Sequence, residues 1–296
     1  MGLYLILSIA IYIIIINNNL VSAQEHGTTP RAARGIAHFP AAQGAGPIVT
    51  LPPQETNRHN RHCPRMLGTA AIEVDATKVV VQATARLVPQ PGEAYDLVEI
   101  ETDRGTTACH YYEAEGARDG VVMVGGTGGG FDSPAGGLYP RLAQDLPHHR
   151  ISALRVRYRH PTDLMESTVD AILGMRYLES QGVSAVGLVG HSLGGAVVIQ
   201  AAANDPKVRA VVVISTQAAG TEPVTRLPEG TAILMIHGDA DTVTSPRSSE
   251  EAYRRAREPR RLIIYEGAGH SLDEAAGSLF VEVKAWLLKH LPGTLV

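Results

Sequence analysis

One serine of the chain lies in a setting that suits nucleophilic catalysis. Ser192 is the centre of a G-x-S-x-G pentapeptide, which follows the apolar run 185–189 and precedes the run of small and apolar residues 194–203. The first run predicts a strand and the second a helix, and a serine on the tight turn between them projects outward. The partial positive charge of the helix N-terminus favours an oxyanion near the N–H of Leu193. We therefore predict that Ser192 is a nucleophile.

Side chains that could assist a serine follow two later apolar runs. Asp239 and Asp241 come after the run 232–236, and His270 follows the run 261–265 in a loop of small residues. A serine hydroxyl is a poor nucleophile at neutral pH and needs an adjacent base, a role that an imidazole fills well. Either carboxylate could orient that imidazole, so the spacing leaves two alternatives for the acid.

A glycine-rich segment, residues 125–130, follows the apolar run 120–124. Such a loop after a strand could bind a phosphate, which makes a nucleotide-binding protein one alternative. The segment has no P-loop lysine, and a G-x-G-x-x-G pattern with an acidic residue about twenty positions later does not fit it cleanly.

The elements that must position these motifs alternate in type along the chain. We predict strands at 95–101, 107–112, 120–124, 151–158, 185–189, 210–215, 232–236 and 261–265, and helices at 137–146, 163–181, 194–203, 248–257 and 276–290. The first two strands flank a turn at residues 103–105 and predict a hairpin. The alternation predicts a mostly parallel, doubly wound sheet with helices on both faces, which is a three-layer α/β/α sandwich.

The motifs, taken in chain order, resemble the α/β-hydrolase superfamily, whose triads run serine, acid, histidine. The similarity covers about residues 93–296 and is nearest to the small dienelactone-hydrolase-like and serine-peptidase-like branches. It departs from dienelactone hydrolase itself, whose nucleophile is a cysteine. The resemblance implies a triad of Ser192, Asp241 and His270, because the family pattern H-G-x-x-D-x-V selects the second carboxylate and leaves Asp239 to stabilise the loop.

The same resemblance implies an oxyanion hole and an open site. In the family, the loop after the first core strand supplies the second oxyanion N–H, which here implies Thr127 or Gly128 in addition to Leu193. Gly125 stands where the family has a histidine. The segment 216–231 is too short for a helical cap, so we expect no sizeable cap domain. The implied reaction is hydrolysis of a small-molecule ester through an acyl-enzyme, with neither a metal nor an organic cofactor.

The sequence leaves the reaction variant and the substrate open. A peptidase or an acyltransferase would use the same triad, and a non-catalytic binding module on this fold is an alternative that the complete triad argues against. Arg157, Arg159 and His160 lie at or after the end of a predicted strand. They could bind an anionic ester or be solvated loop residues, and Arg159 is our candidate substrate contact.

Composition argues against some classes of partner. The formal net charge is −4 and aromatic residues make up 5% of the 296 residues. Nucleic-acid binders usually carry a basic surface or aromatic stacking platforms, so we expect no nucleic acid partner. Cys63 and Cys109 lack the C-x-x-C spacing of zinc or redox motifs. We interpret both as free thiols, with a disulfide as the alternative if the chain is exported.

The N-terminal residues differ in composition from the rest. Residues 3–16 are almost wholly apolar, which is shorter than the roughly 20 residues of a membrane span, and residues 21–23 are small enough for signal cleavage. We therefore predict a signal peptide or membrane anchor at 1–23, although its start lacks Lys and Arg. A misassigned start, with Met66 as the first residue, is the alternative.

The remaining chain divides into two predicted parts. Residues 24–66 lack periodicity and predict a disordered linker, and residues 67–296 predict the catalytic domain. The protein would be secreted or membrane-anchored if the N-terminal segment is genuine, with membrane contact only through residues 3–16, and cytoplasmic otherwise. The oligomeric state stays open.

Overall fold

The computed structural model describes residues 64–74 and 77–291, and these ranges contain ten strands. The strands are β1 (Arg65–Val74), β2 (Thr77–Val88), β3 (Asp96–Thr102), β4 (Gly105–Tyr112), β5 (Asp119–Val124), β6 (Ile151–Val156), β7 (Ala185–His191), β8 (Val208–Ile214), β9 (Ala232–Gly238) and β10 (Arg260–Tyr265). The α-helices are α1 (Pro134–Asp145), α2 (Leu164–Ser180), α3 (Leu193–Ala203), α4 (Pro246–Arg255) and α5 (Ala276–His290). The predicted signal or anchor segment and Cys63 lie outside the described residues.

All ten strands join one sheet in the order β1-β2-β3-β4-β6-β5-β7-β8-β9-β10. Strands β1 to β4 form an antiparallel meander, and β4 pairs antiparallel with β6. Strands β6, β5, β7, β8, β9 and β10 run parallel to one another. The predicted mostly parallel sheet is confirmed, and so is the hairpin, in which Thr102 of β3 pairs with Gly105 of β4.

The helices cover both faces of the sheet, which gives the predicted three layers. Helices α2, α3 and α4 contribute to one apolar core, and α1 and α5 contribute to the other. Strand β5 shows why the core strands are continuously apolar in sequence. Val122 and Val124 enter the first core and Val121 and Met123 the second, because successive side chains of a strand point to opposite faces.

The two strands at the N-terminal edge were not anticipated from the sequence. Strand β1 begins at Arg65, two residues before the predicted start of the catalytic domain at 67. Strand β2 alternates exposed and buried residues, but two of its inward side chains are Ala83 and Ala85. Alanine adds little to a hydropathy pattern, so the alternation is weak in the sequence although it is regular in the sheet.

The chain order creates a topological switch point beside β5. After β5 the chain adds β6 on one side of it, and then crosses to add β7 on the other side. Loops at the carboxyl ends of the strands diverge at such a switch point and leave room for a ligand. The glycine-rich segment follows β5 and Ser192 follows β7, so both lie at this switch point.

The connection between β8 and β9 is short, as expected for a site without a cap. Its regular structure is a single 3-10 turn, Glu222–Arg226, and the described residues contain no cap domain. No helix within the described ranges combines the length and apolar character needed to cross a bilayer. Cys109 on β4 is a free thiol, and its complete burial raises its pKa.

Candidate active site

Ser192 occupies the turn between β7 and α3 with an unusual backbone conformation. Its φ of 57° and ψ of −120° lie outside the conformations that side-chain-bearing residues normally adopt. Such a conformation costs on the order of 1–3 kcal/mol and persists only where the surroundings enforce it. The N–H of Ser192 donates to the carbonyl of Ile214 at 2.9 Å, which helps to hold the turn against β8. The predicted strand-turn-helix setting is therefore present.

The glycines on either side of Ser192 are required by close packing. A methyl group built on Gly190 would overlap the carbonyl oxygen of Gly194, and one built on Gly194 would overlap the carbonyl oxygen of Gly125. The turn and the glycine-rich loop therefore approach each other backbone to backbone. Gly126 is also close to the serine, since a methyl group built there would lie 3.2 Å from Ser192 Cβ.

Of the two candidate acids, Asp241 is the one that contacts the histidine. Its Oδ2 lies 2.7 Å from His270 Nδ1, and His270 follows Asp241 by 29 positions. The hydrogen bonds of the His270 ring to described residues are made by Nδ1, to Asp241 and at 3.2 Å to Thr244 Oγ1. His270 Nε2 is therefore available to another group. Asp239 instead accepts the N–H of Gly267 at 2.6 Å and ties the loop after β9 to the loop that carries His270.

Asp241 is held at both carboxylate oxygens. Oδ1 accepts the backbone N–H groups of Val243 at 2.7 Å and Thr244 at 2.9 Å, while Oδ2 accepts from His270. Burial acts to raise the pKa of Asp241, but the hydrogen bonds from His270, Thr244 and Val243 outweigh burial and lower the pKa to about 2. The carboxylate is therefore ionised at neutral pH and is fixed in orientation.

A second histidine, which the sequence analysis gave no role, contacts the same acid. His237 lies on β9, and its fully buried ring places Nε2 3.0 Å from Asp241 Oδ2 and Nδ1 2.7 Å from Ser249 Oγ. Its position as the histidine of the H-G-x-x-D-x-V pattern was the available sequence signal. Asp241 Oδ2 therefore faces two imidazoles, those of His237 and His270.

The oxyanion side of the site combines α3 and the glycine-rich loop. Leu193 is the first residue of α3, so its N–H has no partner within the helix. Neither Thr127 nor Gly128 donates a backbone hydrogen bond to a described residue, whereas Gly126 N–H donates to Asp132 Oδ2 at 3.3 Å. The predicted oxyanion donors thus have N–H groups that a substrate oxygen could use, and their role stays a prediction.

Arg159 has an environment unlike the one expected for a substrate contact. Its side chain is only 4% exposed. Nε donates to Asp170 at 2.5 Å, Nη2 to Glu166 at 3.0 Å and Nη1 to the carbonyl of Arg104 at 2.9 Å. Two carboxylates and one backbone carbonyl therefore hold all three nitrogens of this guanidinium. This arrangement argues against the predicted substrate role of Arg159.

The fold is that of an α/β hydrolase. A sequence model of the dienelactone hydrolase family matches residues 129–285, which is more than half of the chain. The chain belongs to the dienelactone hydrolase family and is a hydrolase.

Solved structures with the same fold include a dienelactone hydrolase and an esterase. The dienelactone hydrolase of Anabaena variabilis is 18% identical, with a TM-score of 0.52, and the match covers 77% of this chain and 99% of that one. An esterase from Pyrococcus furiosus is 16% identical, with a TM-score of 0.56, and the match covers 67% of this chain and 93% of that one. At these identities the likeness concerns the fold.

A curated relative is similar over part of the chain. The dihydrolipoyllysine-residue acetyltransferase component of the acetoin cleaving system of Cupriavidus necator is 29% identical over 131 residues. The match covers 41% of this chain and 32% of that protein, so the chain matches about a third of the length of this relative.

Proposed function

We propose that the protein hydrolyses carboxylic esters through an acyl-enzyme formed on Ser192. The observation that carries the proposal is the fixed pair of Asp241 and His270, 2.7 Å apart, with His270 in a loop that contacts His191, the residue before a serine held at positive φ. His191, the neighbour of Ser192 in the chain, has its ring 4.8 Å from the ring of His270. A base with a free Nε2 is thereby close to the segment that carries the hydroxyl.

In the proposed acylation, Ser192 Oγ attacks the ester carbonyl carbon while His270 Nε2 accepts the hydroxyl proton. Asp241 holds His270 in the tautomer with the proton on Nδ1 and stabilises the imidazolium that forms. The negative charge on the former carbonyl oxygen is met by the N–H groups of Leu193 and Thr127, each contributing about 3 kcal/mol. His270 then returns the proton to the leaving alkoxide, and the acyl-enzyme remains.

Deacylation repeats these steps with water as the nucleophile. His270 takes a proton from the water as its oxygen attacks the acyl carbon, and it returns that proton to Ser192 Oγ when the acid product leaves. The short connection between β8 and β9 supports an accessible site, which suits small esters rather than long acyl chains.

Acyl transfer is a second candidate, since the similarity to an acetyltransferase component extends over 131 residues. The same acyl-enzyme would form, and an alcohol or thiol would replace water in the second step. The two candidates differ in how the acyl-enzyme partitions. Adding a primary alcohol or thiol during turnover should leave free acid as the main product for a hydrolase, and acyl-acceptor adducts for a transferase.

The proposal can be tested with a fluorophosphonate probe on the full-length protein, followed by peptide mass spectrometry. We expect one adduct, on Ser192, which is lost in Ser192→Ala and in His270→Ala. Ser271→Ala is the matched control, because Ser271 is an exposed serine in the same loop as His270. Hydrolysis of p-nitrophenyl acetate should be lost in the same two variants that lose labelling and should be retained in Ser271→Ala.

The outcomes of this experiment distinguish an ester hydrolase from a non-catalytic binding module. Labelling at Ser192 with ester turnover supports the proposed hydrolase. Folded wild-type protein that is neither labelled nor active on esters would overturn the proposal in favour of a non-catalytic binding module. Labelling at a serine other than Ser192 would show that the nucleophile is misassigned.

A further inference from the structure

The shared oxygen of Asp241 gives His237 a defined hydrogen-bonding state. A carboxylate can only accept hydrogen bonds, and so can the Thr244 carbonyl that lies 3.3 Å from His237 Nε2. Nε2 must therefore carry the proton that is directed to Asp241. In the neutral ring Nδ1 is then the acceptor, and it accepts a hydrogen bond from the Ser249 hydroxyl at 2.7 Å.

These contacts form a continuous line of donors that runs from helix α4 to the acid. Ser249 lies on α4 and donates to His237, which donates to Asp241 Oδ2, and His270 approaches the same oxygen from the other side. The side chains of His237 and Asp241 are both 0% exposed, so water does not compete for these bonds. Thr244 Oγ1 also donates to this oxygen, at 2.9 Å, so His237 and Thr244 together restrict the direction from which His270 can approach it.

The charge state of His237 matters for the acid that it holds. Burial lowers the pKa of His237, while its hydrogen bond to the Thr244 carbonyl and the nearby Asp241 raise the pKa, and the net shift is downward. His237 is therefore neutral at pH 7. A neutral donor fixes the carboxylate without cancelling its charge, whereas a buried cation in this place would reduce the stabilisation of a His270 imidazolium.

We propose that His237 is a positioning residue of the active site, which orients Asp241 toward His270 through a neutral imidazole fixed by Ser249. This inference rests on the proposed hydrolase function. Neither the triad nor the oxyanion donors include His237, and His237 has no solvent-exposed surface through which it could touch substrate. It therefore acts through the residues that it contacts, of which Asp241 belongs to the proposed triad.

The test compares His237→Leu, which removes the hydrogen bonds of the ring, with His237→Gln, whose side-chain amide can still donate toward Asp241. We expect His237→Leu to lower kcat for p-nitrophenyl acetate about tenfold, the effect of one lost hydrogen bond to a charged group, with KM changed less than about twofold. His237→Gln should recover part of that loss. Ser249→Ala should give a smaller loss, and Ser248→Ala on the same helix turn should give none.

A spectroscopic readout separates positioning from loss of stability. The Nδ1 proton of His270, bonded to Asp241, is expected to give a low-field resonance in the proton NMR spectrum of folded protein. This resonance should shift or broaden in His237→Leu and persist in His237→Gln and Ser248→Ala at a temperature where all are folded. If His237→Leu does not fold, the comparison of His237→Gln and Ser249→Ala with Ser248→Ala decides the question.

The experiments give different results if the positioning role of His237 is wrong and if the proposed hydrolase function is wrong. Wild-type protein without labelling or ester turnover would overturn the proposed hydrolase, whatever the variants do. Active wild type, together with His237 and Ser249 variants that keep the wild-type kcat and the His270 resonance, would overturn the positioning role alone.

Discussion

The Nε2 atom of His191 donates a hydrogen bond to the backbone carbonyl of His270 at 3.1 Å. Burial lowers the pKa of His191 to about 4, so its ring is neutral at pH 7 and has one N–H to give. The two residues are 79 positions apart, and the bond joins the strand end that carries Ser192 to the loop that carries His270. The bond therefore helps to fix the position of the proposed base, His270, relative to the proposed nucleophile, Ser192.

Removing this bond should affect turnover more than binding. We expect His191→Leu to lower kcat about tenfold with little change in KM, because the loop that carries His270 loses one anchor next to Ser192. His191→Gln, which retains an N–H donor, should be less impaired. Steady-state kinetics on p-nitrophenyl acetate measure both values, and equal kcat in wild type and His191→Leu would contradict the anchoring role.

The low pKa of Asp241 predicts a pH-dependent contribution to stability. Its folded-state pKa of about 2 lies below its ordinary value, so the stabilisation is fully present above about pH 4 and is lost as the pH falls toward 2. At neutral pH this contribution is about 2 kcal/mol. Denaturant unfolding of wild type and Asp241→Asn should therefore differ most at pH 5–7 and less as the pH approaches 3. A difference that does not vary with pH would refute this linkage.

The glycine-rich loop contains a site where a side chain is excluded by a carboxylate. A methyl group on Gly125 would overlap Asp132 Oδ1, and one on Gly128 would lie 3.2 Å from Asp132 Oδ2. We expect Gly125→Ala to displace Asp132 and break its bond to Gly126 N–H, which destabilises the protein by about 1 kcal/mol.

A double-mutant cycle tests whether the overlap with Asp132 causes the destabilisation expected for Gly125→Ala. In the Asp132→Ala background the methyl group of Gly125→Ala meets no carboxylate, so its effect on the free energy of unfolding should be smaller by at least about 0.5 kcal/mol. Additive effects of the two substitutions would show that Gly125 is required for another reason.

The environment of Arg159 predicts a structural role. Arg159→Ala would leave the fully buried side chain of Asp170 without its ion-pair partner, which costs about 3–5 kcal/mol. Arg157→Ala is the control, because Arg157 is exposed. Denaturant unfolding measures the decrease in the free energy of unfolding. In folded Arg159→Ala, the ratio of the hydrolysis rates for anionic and neutral esters should be the same as in wild type. A selective loss of the rate for anionic esters would restore the substrate role.

The sequence by itself determined the fold class and the order of the chemical groups. Apolar runs and amphipathic stretches alternate because core strands are buried on both faces and helices on one, and that periodicity is local. The strand-turn-helix setting of Ser192 is also local, since the pentapeptide and its flanking runs occupy adjacent positions. The predicted helix at 276–290 agrees in both bounds with α5.

Tertiary structure decided which side chains meet. Two carboxylates, Asp239 and Asp241, stood two positions apart in the sequence, and only the packing of the loops after β9 and β10 places the second against His270. Arg159 looked available beside a strand end, yet Asp170 and Glu166 of helix α2 enclose it. Contacts between residues far apart in the chain depend on how the sheet and the helices pack. They cannot be predicted from the periodicity of a single segment, because that periodicity reflects only which side chains of the segment are buried.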